Sequence, residues 1–224
     1  MLRYLKHVDG VLRTLLRSRE LDALRRWGIS PGDLARRIST VRPILGPALE
    51  AYGRDVSTPD MAVSLHSATL LAALCELRRP RRVLDAGSGF SSYVLRRFSC
   101  DDREIWSVDD NEQWLDTTRT YLERQGIDND RLLPWDTFAE SDEREFDLIF
   151  HDLGAIRDVR TSTLPDICSR LAPGGLILLD DFHKHRYRYR ARRILARDGF
   201  EVIPLRHHTL DGFGRYAALA RRAA

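Results

Sequence analysis

Val83-Leu84-Asp85-Ala86-Gly87-Ser88-Gly89-Phe90-Ser91-Ser92 is the stretch whose reading decides the fold. An apolar run ends in a Gly-x-Gly turn, and a helix-like segment over 91–98 follows. That order reads as strand, tight turn, helix. Glycines let the backbone turn sharply and let a ligand come close. The first turn of the following helix offers amide donors that have no partner of their own. In open α/β sheets such a turn lies at the carboxyl end of a strand, where ligands bind.

The same rhythm continues outward. Strands are expected at 82–86, 104–108, 131–134, 146–151 and 175–179, with helices at 91–98, 112–124 and 161–171 between them. Alternating strands and helices imply a parallel sheet covered on both faces, with right-handed crossovers. Two further runs, 200–205 and 214–220, are separated by a loop, which implies a closing antiparallel pair. The expected fold is therefore α/β: a doubly wound, mostly parallel seven-stranded sheet. Residues 1–56 read as an N-terminal helical extension and 57–224 as the ligand-binding domain. Within the extension, Leu2, Leu5, Val8, Leu12 and Leu15 make one apolar stripe, and Leu21, Leu24 and Trp27 another. Gly28 stops that helix, Ser30-Pro31 starts the next, and Pro43, Gly46 and Pro47 should break it up. A further helix is expected after Ser57-Thr58-Pro59-Asp60.

Composition sets the outer bounds. A chain of 224 residues suits one α/β domain with an extension. Cys75, Cys100 and Cys168 lie far apart and form no Cys-x-x-Cys pair, so they read as reduced thiols of a cytoplasmic protein. The N-terminus alternates apolar and charged residues, unlike a secretory signal. No run approaches the roughly 20 apolar residues of a membrane span. The net charge of +3 implies no polyanionic partner. Lys6 and Lys184 are the only lysines, and this arginine bias points to a high-GC bacterial genome.

Asp109 gives the glycine turn its meaning. It lies 22 positions after Gly87, at the end of the second strand, where an acid can accept the hydroxyl hydrogens of a ribose. The third glycine of a dinucleotide Gly-x-Gly-x-x-Gly motif is missing. Asp85, just before the turn, would repel a pyrophosphate and suits a ligand with an ammonium group.

The segment resembles the first motif of the class I S-adenosylmethionine-dependent methyltransferases, and the likeness extends over about residues 57–220. It implies that Asp85, Gly87, Ser88, Gly89 and Ser91 surround the methionine part of the cofactor. It further implies that Asp109 holds the ribose and that Asp110 lies near the adenine. In the third-strand motif, Asp136 would bond the adenine amino group with Thr137 beside it, and Trp135 or Phe138 would flank the ring. Phe146–Asp152 resembles the fourth-strand motif, with Asp152 at the cofactor. Leu171-Ala172-Pro173-Gly174-Gly175 resembles the turn into the fifth strand.

Methyl transfer requires alignment of the acceptor and, for a hydroxyl, removal of its proton. The ends of strands four and five carry His151, Asp152, Asp180, Asp181, His183 and His185. Asp152, Asp180 and Asp181 are candidate ligands for Mg2+, as in the metal-dependent O-methyltransferases the chain resembles. The catechol-type members of that group place a lysine base soon after the strand-four acid. Leu153-Gly154-Ala155-Ile156-Arg157 has none. His183, His151 and Asp181 are then the candidate catalytic residues. Without metal, Asp180 and Asp181 would cap the next helix and line the pocket.

The expected function is methyl transfer to a small molecule, at a hydroxyl oxygen. Residues 183–193 mix cations with aromatics, so RNA methylation using that segment is the alternative enzyme reading, although nucleic-acid binding is disfavoured by the period-two Arg/Tyr alternation. A non-catalytic cofactor-binding protein and an aminopropyl transferase are further readings. No Asp/Asn-Pro-Pro-aromatic motif and no Pro-Cys pair occur, which disfavours methylation of DNA-base amino groups, glutamine amides and cytosine C5. The N-terminal helices would form a lid, a homodimer interface or a packing layer.

Overall fold

The computed structural model of the chain describes residues 2–59, 61–99, 102–154 and 157–223, with side chains from residue 14 onward except that of Arg157. The strands are β1 (Arg82–Ala86), β2 (Glu104–Asp109), β3 (Leu132–Pro134), β4 (Phe146–His151), β5 (Leu171–Leu179), β6 (Phe200–Pro204) and β7 (Ala218–Arg222). They form one sheet in the order β3-β2-β1-β4-β5-β7-β6. The first five strands pair in parallel, and β7 runs antiparallel between β5 and β6. The chain goes one way from β1 to β2 and β3 and the other way to β4 and β5. This leaves a crevice above β1, β2 and β4.

Both faces are covered, and strand alternation divides the core accordingly. Val83, Leu148, Phe150 and Leu178 face a layer built from α1 (Leu2–Arg26), α2 (Pro31–Asp55), α3 (Leu65–Arg78), α4 (Phe90–Arg97) and α5 (Glu112–Arg124). Leu84, Ala86, Ile149 and Leu179 face α6 (Trp135–Ala139), α8 (Leu164–Ser169) and α9 (His185–Arg197), with α7 (Arg157–Ser162) leading into α8. The expected helix over 161–171 is therefore two short ones. The loop expected between the last strands contains a short helix, α10 (Arg206–Thr209).

α1 runs to Arg26 and stops before Gly28, as expected; the side chains of Leu2, Leu5, Val8 and Leu12 lie outside the described residues. The next helices depart from expectation. α2 does not break at Pro43 or Pro47. An internal proline costs a helix roughly 3 kcal/mol. Here Leu34, Val41, Leu45 and Tyr52 keep one buried stripe along the whole helix, and that burial outweighs the two prolines. Ser30 caps the start, accepting from the amide of Asp33 at 3.3 Å. α3 begins later than expected, where the Ser64 hydroxyl accepts from the amide of Ser67 at 3.0 Å. Leu24, Trp27, Leu34 and Leu45 belong to the same apolar cluster as Val83 and Phe150 of the sheet.

This shared core gives a testable outcome. Leu45→Ala should cost about 2–5 kcal/mol. Circular dichroism and tryptophan fluorescence should follow urea unfolding with one shifted midpoint. Two separate midpoints would mean that the extension folds apart from the sheet.

Candidate active site

The turn after β1 is shaped by one close approach. Gly87 has φ +112°, and a Cβ there would lie 2.6 Å from the carbonyl carbon of Asp152. The Gly87 amide donates to the carbonyl of Val108 at 2.9 Å, and the Asp152 amide donates to that of Ala86 at 2.6 Å. The ends of β1, β2 and β4 are thereby laced together. Gly89, at φ +140°, leaves open the space between Tyr52 Oη and the Trp114 indole.

Asp109 locks this turn from the side. Its Oδ2 accepts from the Ser88 amide at 2.8 Å and from Ser88 Oγ at 3.1 Å, while Oδ1 accepts from the Asn111 amide at 3.0 Å. Burial pushes its carboxyl up to about 6, against the lowering effect of those amides. Asp85 lies beneath the turn, fully buried. Its Oδ2 accepts from Ser92 Oγ at 2.5 Å and Ser107 Oγ at 3.0 Å, and burial pushes it up to about 6. Asp85 Oδ1 and Tyr52 Oη are buried with no hydrogen-bond partner among the described residues. Such orphaned atoms beside an open glycine cradle fit a polar ligand.

Above the turn is a cavity of about 790 Å³, a volume suited to a nucleoside-sized ligand. Ser88, Ser91 and Asp110 are part of its lining, and the Trp114 indole forms one wall, donating to the Ser88 carbonyl at 2.8 Å. Asp152, next to Gly87, and Arg160 are also part of the lining. Arg160 donates through Nη2 to Asp152 Oδ1 at 2.5 Å and through Nη1 to Asp181 Oδ2 at 2.6 Å.

No family model matches the chain. It is 32% identical over 149 residues to the ribosomal protein L11 methyltransferase of Symbiobacterium thermophilum; the match covers 61% of this chain and 47% of that one. The chain thus spans about half the length of this curated relative. An O-methyltransferase of Klebsiella pneumoniae, described as putative, shares its architecture at TM-score 0.66 and 20% identity, covering 85% of this chain and 97% of that one. So does the O-methyltransferase TomG of Streptomyces achromogenes, involved in tomaymycin synthesis and solved with S-adenosylmethionine: TM-score 0.58 and 20% identity, over 78% and 87%. The chain thus has the α/β methyltransferase fold, and the curated relative it matches over part of its length is a methyltransferase.

Against the methyltransferase pattern, several expected residues lie elsewhere. His151 is not available as a base. It is fully buried on the α8–α9 face, with Nδ1 3.2 Å from Tyr187 Oη and Nε2 3.3 Å from Thr163 Oγ1, and burial pushes it down to about 3. His183 lies in the loop after β5, its Nδ1 3.6 Å from Asp181 Oδ1 and its ring edge-on to Tyr216, away from the cavity lining. β3 is short and α6 starts at Trp135, so Asp136 and Thr137 point to solvent and do not line the cavity. Phe138 is buried between Trp106 and Phe146, with the Arg170 guanidinium over its ring at 4.5 Å. It flanks no ligand; Trp114 supplies the aromatic wall.

The three carboxylates do not converge on a metal position. Asp152 and Asp181 turn to Arg160, and Asp180 Oδ1 accepts from Ser67 Oγ at 3.2 Å. Among the described residues no group of three His, Cys, Asp or Glu is set to hold a metal. In the basic stretch, Arg188 bonds Tyr216 Oη, Arg190 pairs with Asp158, Arg192 lies over Phe182 and Arg193 over Tyr189. No helix among the described residues is long and apolar enough to cross a membrane.

Sequence reasoning missed Tyr52, Trp114 and Arg160. Only Arg160 left a trace, as a cation eight positions after the strand-four acid, where the family pattern asks for a nearer lysine. Gly87→Ala should destabilise the protein by roughly 3 kcal/mol or more, through strain at positive φ and the backbone clash. Thermal melting checks this; an unchanged melting temperature would mean that β1 and β4 do not approach this closely.

Proposed function

We propose that the chain transfers the methyl group of S-adenosylmethionine to a hydroxyl oxygen of a small-molecule acceptor. The observation that carries this reading is the Gly87–Gly89 turn with Asp109 bonded to it, side by side on the wall of a nucleoside-sized cavity. When bound, the cofactor supplies a methyl group already activated on a sulfonium. Asp109 accepts from the ribose hydroxyls, Asp110 lies at the adenine end and Trp114 lies against the ligand. Tyr52 Oη and the Gly87–Gly89 backbone meet the methionine end, with Asp85 buried beneath the turn as its support.

The chain's own task is to align the acceptor and take its proton. Asp152 is the cavity-lining group suited to that task. Burial, reinforced by Asp180 and Asp181, raises its carboxyl pKa against the pull of Arg160, and a more basic carboxylate takes a proton more readily. Asp152→Asn should lower turnover by about a hundredfold or more, with less effect on cofactor affinity than a change at Asp109. The likeness to the L11 enzyme favours a second reading, a protein acceptor, which the same assay tests with ribosomal protein as substrate.

Titration calorimetry with S-adenosylmethionine and S-adenosylhomocysteine tests the reading directly. Micromolar binding is expected, with Asp109→Ala weakening it at least about tenfold, roughly 1.4 kcal/mol. Folded protein that binds neither ligand would overturn it. Affinity should also depend on pH. Asp109 gains a proton as pH falls through about 6 and then no longer accepts freely from the ribose hydroxyls. The dissociation constant should therefore rise about tenfold from pH 7 to pH 5. Asp109→Asn should flatten that rise, and a flat wild-type profile would remove Asp109 from the ribose site.

A further inference from the structure

We infer that Arg160 is a built-in cation at the acceptor end of the cavity, bridging Asp152 and Asp181 where a divalent metal would otherwise have to sit, so that the site works without a metal ion. The inference concerns the same site as the proposed function and rests on that reading of its acceptor end. The two can fail separately, because the test reads ion uptake and not turnover.

The guanidinium is enclosed by the chain. Its side chain is only 9% exposed, and Asp181 is 16% exposed. Besides the two carboxylates, Nη2 donates to the carbonyl of Asp152 at 2.8 Å and to that of Gly154 at 3.4 Å, and Nε donates to that of Leu153 at 3.3 Å. All three nitrogens thus have partners, and the Tyr187 ring lies 5.7 Å from the guanidinium carbon. Three successive carbonyls of the loop after β4 turn toward Arg160. A flexible loop that met the arginine by chance would not wrap it in this way.

Charge makes the arrangement necessary. Asp152, Asp180 and Asp181 bring three carboxyls to one buried corner, and an unpaired buried charge is costly. The facing cations are Arg160 and, at the edge, Lys184, which contacts Asp181; His183 stands 3.6 Å from Asp181. A planar guanidinium can join two carboxylates at fixed geometry and never loses its proton. A divalent ion would need oxygens of these same carboxylates turned to one point, within roughly 2.0–2.6 Å. Asp152 Oδ1 and Asp181 Oδ2 are already held by Arg160, and Asp180 Oδ1 faces Ser67. Because Arg160 also lines the cavity, its permanent charge faces the acceptor and favours an oxygen that becomes anionic as it loses its proton.

Mn2+ alone, without cofactor or acceptor, is the probe. Electron paramagnetic resonance should show all added Mn2+ free in the presence of wild-type protein, and millimolar Mn2+ should leave its melting temperature unchanged. Arg160→Gln should melt lower at neutral pH, take up one equivalent of Mn2+ and recover stability when it does so. Arg160→Lys keeps the charge and should take up none. Wild-type uptake of Mn2+ that Asp181→Asn abolishes would overturn the inference, and so would a folded Arg160→Gln that takes up no ion. Should Arg160→Gln not fold, the wild-type and Asp181→Asn titrations still decide the question.

Discussion

The rest of the site depends on the contact between Gly87 and the Asp152–Leu153 backbone. A Cβ at position 87 would come within 2.8 Å of three backbone atoms there. Only a residue without a side chain lets the loops after β1 and β4 close on each other. Once they do, the Gly87 amide reaches Val108 and the Asp152 amide reaches Ala86, so three strand ends share one rigid rim. The rim brings the Ser88 amide to Asp109 and points Asp152 into the cavity. Polar groups on three separate segments are thereby positioned by backbone packing and not by their own side-chain rotamers.

A rim crowded with acids raises an electrostatic problem, and the chain meets it differently at its two ends. Near the glycine turn, Asp85 and Asp109 are held by hydroxyls and amides, with Arg96 acting on Asp85 from behind Ser107. Neutral donors leave both carboxyls with raised pKa values, so they stay responsive to a bound cation or hydroxyl. Around Asp152, Asp180 and Asp181 a full guanidinium is buried with the acids. This lowers the pKa of Asp181, while Asp152 and Asp180 stay raised by burial. One cavity is thus lined by acids held in two ways, by neutral donors near the glycine turn and by a buried cation at Asp152 and Asp181.

The fold was legible because it is written in local patterns. β1 and β4 fall at 82–86 and 146–151 as expected, and α5 spans the anticipated 112–124. Asp109 and the two glycines were legible for the same reason, since a strand–turn–helix unit puts them in a fixed relation. What was not legible depends on long-range packing. Pro43 and Pro47 read as breaks because local propensity knows nothing of the stripe from Leu34 to Tyr52 lying on α3. His151 read as a base because it ends a strand; which face it takes follows from strand parity and from Tyr187 and Thr163, both distant in sequence. The carboxylates read as a metal site because their spacing cannot reveal that an arginine on α7 reaches between them.

Tyr52 shows what the N-terminal helices add. α2 is long and carries two internal prolines, yet its last turns bring a buried hydroxyl against Gly89. Tyr52 packs on Phe90 and Tyr121, with ring centroids 5.3 and 4.8 Å away, so the hydroxyl is fixed by aromatic contacts on both α4 and α5. Were α2 to end at Pro43, as its sequence suggests, nothing in this helix would reach the glycine turn and the cavity would lose that wall. The energetic cost of carrying prolines through a helix is thus tied to the site itself. The same buried stripe that keeps α2 continuous sets Tyr52 over the turn, so the extension is a structural part of the cavity and not an appendage to it.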